Sequence, residues 1–109
     1  MPDRRRYPRY EVRGLSCRID DQHGGEVLKL SRSGMLASAP LEAPLGAIVD
    51  VQIELPGSVF RSAARVAFAG PDTSAPERRR SRVGVEFVET PPANLQVLDR
   101  FIQEQIAAG

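Results

Sequence analysis

The stretch GAIVDVQIEL, residues 46–55, alternates apolar and polar residues with a strict period of two. Val49, Val51, Ile53 and Leu55 fall on one face, and Asp50, Gln52 and Glu54 fall on the other. That is the period of a half-buried β-strand, since a helix would scatter the same residues around its circumference. Pro56-Gly57 follows at once. Proline pre-sets one turn angle and glycine accepts a positive φ, so the chain is expected to reverse there. Residues 58–69 resume the alternation, with Phe60, Ser62, Ala64, Val66 and Phe68 on one face and Arg61, Ala63 and Arg65 on the other. A chain organised around such a hairpin has to bury one face of an antiparallel sheet.

The flanking segments extend this pattern. YEVRGLSCRID, 10–20, reads as a strand, and Gly24-Gly25 as the turn into a second, EVLKLS, 26–31. SGMLASA, 33–39, is then its hairpin partner around Ser31 to Gly34. Residues 70–81 lack any period and read as an exposed loop, and RVGVEFVE, 82–89, restores alternation through Val83, Val85 and Phe87. The tail changes character. Thr90 is placed to cap a helix that Pro91 opens, and Leu95, Leu98, Ile102 and Ile106 recur at helical spacing. Nine glycines and nine prolines suit many short turns, and 109 residues suffice for one modest core. The expected fold is all-β dominated: a closed or nearly closed six-stranded antiparallel β-barrel with a C-terminal α-helix. Residues 1–109 form one domain, with an Arg-rich arm at 1–9, the barrel at 10–89 and the helix at 91–108.

Composition excludes several function classes. No apolar run approaches the ~20 residues of a membrane span, and the charged start lacks the apolar stretch of a signal peptide, so no membrane insertion is expected. Cys17 stands alone, which rules out an internal disulfide and suits a reducing cytoplasm. It lies mid-strand between Leu15 and Ile19, the position of a packing residue. His23, the single histidine, falls in the Asp21–Gly24 turn as a solvated side chain. No acid–base pair, nucleophile or metal-ligand cluster is evident, so neither an enzyme, a metal nor a cofactor is expected.

The charge layout is uneven. Residues 1–18 hold six arginines against Asp3 and Glu11, and residues 76–82 hold four against Glu77, while the remainder is net acidic. A chain with a total of +1 and no nucleic-acid-binding motif is not expected to coat nucleic acid. Arg4, Arg5, Arg6 and Arg9 crowd around Tyr7 and Pro8. Guanidinium is a planar fork of donors that matches phosphate oxygens or the O6/N7 edge of guanine, and it stacks on π faces. Arg5 and Arg9, on a short arm stiffened by Pro8, can clamp a guanine nucleotide from two sides. Ser31 can donate to and accept from a base edge, and Gly34 lets backbone approach a ligand closely. The run Glu77–Arg82 reads as a solvated loop that can also line the same pocket.

RRYPR followed by KLSRSG resembles the paired signature of PilZ domains, an Arg-x-x-x-Arg motif and an (Asp/Asn)-x-Ser-x-x-Gly motif. Arg5 and Arg9 match the first, Ser31 and Gly34 match the second, and RVGVEFVE is similar to the family's late Gly-centred strand. The resemblance implies a non-enzymatic receptor for the bacterial second messenger cyclic di-GMP. It implies that the arginines grip phosphates and guanine faces as the arm folds over the ligand, often as two stacked copies, with Arg4 and Arg6 assisting. The second motif then reads a guanine edge, and the ordered arm signals to an unidentified protein partner in motility, pilus or surface-behaviour control, as a monomer or a homodimer. One position departs from the pattern. Lys29 stands where the family has Asp or Asn. A carboxylate there accepts from guanine N1–H and N2–H, whereas an ammonium has donors only and suits a phosphate or O6. The alternative reading is an interaction adaptor of the same fold that has lost the messenger.

Overall fold

The computed structural model describes residues 8–74 and 80–107. The alternation of residues 46–55 forms β5 (Ile48–Leu55), with Val49, Val51, Ile53 and Leu55 all buried. Pro56-Gly57 makes the expected turn, Gly57 at φ 75°, and Leu55 pairs with Ser58 at the start of β6 (Ser58–Pro71). The other strands are β1 (Tyr10–Glu11), β2 (Ser16–Ile19), β3 (His23–Leu30), β4 (Gly34–Ala39) and β7 (Ser81–Glu89). All pairings are antiparallel, and the order β3-β2-β5-β6-β7-β4 closes on itself because β4 also pairs with β3. The result is a six-stranded barrel with β1 outside it on β3. Ile19, Val27, Leu30, Ile53, Phe60, Val66, Val83 and Leu98 fill the core, where the rings of Phe60 and Phe87 lie 4.9 Å apart at 60°.

Several local expectations are corrected. The single strand expected over 10–20 is two, because Gly14 adopts φ 76° and breaks the run. Both pieces follow the same edge of β3, with Val12 N–H donating to Leu28 C=O and Val27 N–H to Leu15 C=O. The turn into β3 is not at Gly24-Gly25. Asp20 and Asp21 make it, at φ 54° and 58°, a conformation that short polar side chains tolerate. Gly24 and Gly25 lie within β3, where a Cβ on Gly25 would stand 2.7 Å from the Ser38 carbonyl oxygen; this glycine serves close approach to β4. His23 is accordingly the half-buried first residue of β3.

On β6, Phe60, Ser62, Ala64 and Val66 point inward as expected, but the register shifts between Val66 and Phe68 and Phe68 turns outward, 52% exposed. The segment after β6 is less open than its sequence suggested. Asp72 is buried and accepts from Ser38 Oγ (2.5 Å) and Ser74 Oγ (2.6 Å). Arg80 closes the network by donating to Ser38 Oγ (3.0 Å) and to its carbonyl oxygen (2.9 Å). Ser38 sets the Asp72 carboxyl well below the usual carboxylate range, with Ser74 adding to it and Arg82 contributing least.

The helix α1 (Pro92–Phe101) continues as a π-helical segment, Ile102–Ala107. Pro91 takes the N-cap position and Pro92 the first helical one, a residue later than expected, and Thr90 caps nothing. Its hydroxyl instead meets Ser62 Oγ at 2.8 Å. Leu98 buries fully and Leu95 and Ile102 partly, as their spacing implied, whereas the Ile106 side chain is outside the described residues. Asn94 Oδ1 accepts from Arg61 N–H of β6 at 2.8 Å and pins the helix to the barrel. Burial pushes the Cys17 thiol up to about 11, which agrees with a packing role.

Candidate functional site

The register of four strands defines one concave patch on the outer barrel wall. Met35, Ala37, Val83 and Val85 point into the core, so their neighbours on β4 and β7 point outward. Lys29 of β3 pairs with Leu36 of β4, Leu36 with Gly84 of β7, and Gly84 with Phe68 of β6. The adjacent row runs from Gly34 through Glu86 to Arg65, and the row on the other side from Ser38 through Arg82 to Gly70. Gly34 and Gly84 put no side chain into the middle of this surface. A cavity of ≈ 360 Å³ results, with Arg9, Lys29, Ser31, Ser33, Gly34, Leu36, Phe68, Arg82, Gly84 and Glu86 in its lining.

Each part is held by something identifiable. The pairs Tyr10↔Leu30 and Glu11↔Lys29 fix β1 at the end of β3, which delivers Arg9 to the rim beside the β3–β4 turn. Ser31 is 2% exposed, and its hydroxyl accepts the N–H groups of Ser33 (3.1 Å) and Gly34 (3.2 Å). Ser31 N–H donates to Gly34 C=O at 2.9 Å, and Phe87 N–H donates to Ser33 C=O at 2.9 Å. The serine expected to read a base edge is thus committed to the turn here. A Cβ on Gly34 would lie 2.2 Å from the Val85 carbonyl oxygen, so that glycine is required by the approach of β4 to β7 as well. Arg32 Nε donates to Asp99 Oδ1 at 2.8 Å and ties the same turn to α1.

The cavity is cationic. Arg9, Lys29 and Arg82 line it against one carboxylate, Glu86, among the described lining residues. Arg82 Nε stands 3.4 Å from Asp72 Oδ1, and Arg65 Nη2 donates to Glu86 Oε2 at 3.1 Å. Guanidinium and ammonium groups around a bare floor, with an exposed phenyl ring at one side, can neutralise phosphates and stack a planar base.

Of the residues singled out from the sequence, Arg9, Lys29, Ser31 and Gly34 come together in this one cavity. Arg4, Arg5 and Arg6 lie outside the described residues, as do Arg78 and Arg79 of the second basic run. Arg82, from the end of that run, does line the pocket. Phe68 and Glu86 were not anticipated. Glu86 alternates outward with Gly84 and Arg82, a pattern the sequence carries, but Phe68 depends on the register shift in β6.

A PilZ domain family model matches residues 3–104. The chain belongs to the PilZ domain family. Several solved structures share the same fold. Bacillus subtilis MotI/DgrA, an inhibitor of motility, is 20% identical with a TM-score of 0.78 over 96% of this chain and 52% of its own. The PilZ domain of Escherichia coli YcgR with cyclic di-GMP is 19% identical with a TM-score of 0.66, over 92% of this chain and 89% of its own. The K. pneumoniae MrkH complex with cyclic di-GMP is 13% identical with a TM-score of 0.80, over 98% and 54%. This PilZ chain spans about half the length of MotI/DgrA and MrkH. No curated protein sequence matches it. Among the described residues of this PilZ domain no three His, Cys, Asp or Glu side chains gather to hold a metal, and no helix is long and apolar enough to cross a membrane.

Proposed function

We propose that this PilZ domain is a receptor for cyclic di-GMP that binds the messenger on the outer barrel wall. One observation carries the reading: Arg9 from the first signature motif and Ser31 and Gly34 from the second line a single cavity, together with Lys29 and Arg82. Cyclic di-GMP carries two phosphates and two guanines, and the cavity offers cationic donors for the former and a planar, glycine-floored surface for the latter. Two structures that share this fold, MrkH and the YcgR PilZ domain, are complexes with cyclic di-GMP, which supports the reading. In this reading Arg5 completes the clamp begun by Arg9, Arg4 and Arg6 support a second stacked ligand, and Lys29 binds a phosphate or guanine O6. The arm then orders against β3 and reshapes the surface offered to a protein partner in motility, pilus or surface-behaviour control. The domain acts by binding and performs no catalysis.

Lys29 in the Asp/Asn position of the motif, with the Ser31 hydroxyl spent inside the turn, favours a second reading. That reading is a PilZ adaptor that no longer takes the messenger. Isothermal calorimetry with cyclic di-GMP, and GTP as the control, separates the two. Saturable binding of cyclic di-GMP alone supports the receptor, and no heat at ligand concentrations well above the micromolar range leaves the adaptor.

A further inference from the structure

The signature of this chain lacks the carboxylate or amide oxygen that would accept from a guanine Watson–Crick edge at position 29. Guanine presents donors at N1–H and N2–H beside its O6 and N7 acceptors. Arg9, Lys29 and Arg82 have donors only, so they can satisfy phosphates, O6 and N7 but neither N1–H nor N2–H. Leaving those donors unpaired against a protein wall costs binding energy. Position 29, which would hold an acceptor, holds Lys29.

The acceptor is present elsewhere in the same cavity. Glu86 pairs with Gly34 across β4 and β7, one strand from the β3–β4 turn, and points outward with Gly84 and Arg82. Gly34 places no side chain between the Glu86 carboxylate and the turn. The Arg65 bridge engages Oε2 from the far side, on β6, at 52% and 57% exposure of the two side chains. An exposed pair of that kind contributes little by itself, so the carboxylate is oriented without being locked. Arg65 also offsets the negative charge that Glu86 brings toward a dianionic ligand.

We infer that Glu86 supplies the guanine N1–H and N2–H acceptor that position 29 has given up, so that in this PilZ domain base recognition has moved from β3 to β7. The inference rests on the cyclic di-GMP reading and assigns a specificity role to a residue outside both signature motifs. Lys29 is then free to serve the phosphates, and the two positions together keep the pocket both cationic and guanine-selective.

The test pairs a change in the protein with a change in the ligand. Cyclic di-IMP differs from cyclic di-GMP only in lacking the 2-amino group of each base. Wild-type protein should bind cyclic di-GMP about ten- to a hundredfold more tightly than cyclic di-IMP, one hydrogen bond to a charged acceptor. Glu86→Ala should bind the two ligands with equal affinity, and Glu86→Gln, which keeps one acceptor oxygen, should retain part of the preference. Melting temperature checks that the exposed substitution leaves the fold alone. A Glu86→Ala protein that keeps the wild-type preference overturns the inference, as does a wild-type protein with no preference. Glu86→Ala should also weaken cyclic di-IMP, because hypoxanthine keeps N1–H, so the ratio of the two affinities, and not the loss of either, decides the inference. In Glu86→Gln, where both remain measurable, a preference as large as the wild type's overturns it as well. Wild-type protein that binds no cyclic di-GMP removes the receptor reading itself, and that titration is read before any variant is compared.

Discussion

Replacing Gly34 by alanine isolates the structural part of a signature residue from its ligand-binding part. The added Cβ would stand 2.2 Å from the Val85 carbonyl oxygen, 3.3 Å from its carbonyl carbon and 3.4 Å from Glu86 Cα, all of them backbone atoms. No rotamer can relieve the contact. The β4 backbone has to withdraw until the closest distance passes 3.0 Å, and that opens the ladder at Gly34↔Glu86 and Met35↔Val85. Two weakened backbone hydrogen bonds at about 1 kcal/mol each, added to overpacking of about 1–2 kcal/mol, give a loss of about 3–4 kcal/mol. For a chain of this length that is a drop of roughly 10–20 °C in melting temperature. Thermal unfolding followed by circular dichroism, with no ligand present, measures it. Gly24→Ala is the control, since its Cβ meets nothing within 4 Å, and it should melt within about 2 °C of wild type. A Gly34→Ala protein that melts with the control would refute the argument and return Gly34 to a purely ligand-facing role.

Arg9 is exposed at the cavity rim, so Arg9→Ala should lower cyclic di-GMP affinity at least tenfold in calorimetry while melting as wild type does; Arg9→Lys should not restore it, because a point charge lacks the planar fork. The Asp72 carboxyl is depressed below its ordinary value of 3.8, so its stabilising contribution is fully present above that value and is lost as pH falls below it. Urea midpoints should therefore decline more steeply below pH 4 for wild type than for Asp72→Asn, which should start from a lower plateau at pH 7. The Cys17 thiol is raised from 9.0 to about 11, so its neutral form stabilises the fold below pH 9 and that contribution fades between pH 9 and 11. Native protein should accordingly react with a thiol reagent at pH 8 far more slowly than urea-unfolded protein, and equal rates would contradict the burial.

What could be read from the sequence was what local chemistry determines. The alternation of β5 and the Pro56-Gly57 turn needed only neighbours in the chain, and both appear where they were expected. Glycine was harder, because it serves either a positive φ or the absence of a Cβ. Gly24-Gly25 looked like the first and Gly25 is the second, a difference that exists only once β4 lies over β3. Phe68 kept its period on paper and lost it to a register shift against β7. Asp72 sat in a loop without periodicity, and its burial depends on Ser38, a residue far upstream on β4. The candidate site divides along the same line. Arg9, Lys29, Ser31 and Gly34 were marked by residue type and spacing, whereas Glu86 and Phe68 join them through the pairing of β7 with β4 and β6.

The seam between β4 and β7 has a consequence for how the chain acquires its pocket. The β3–β4 hairpin closes over a three-residue loop, but Gly34 and Glu86 lie about fifty residues apart, the widest separation of any strand pair in the barrel. Such a contact carries a large loop-closure cost and forms slowly relative to local hairpins. The cavity floor is laid across that seam, with Gly34 and Leu36 on one side and Gly84 and Glu86 on the other. A nascent or partly folded chain can own every local hairpin and still present no pocket, so ligand occupancy reports a finished barrel.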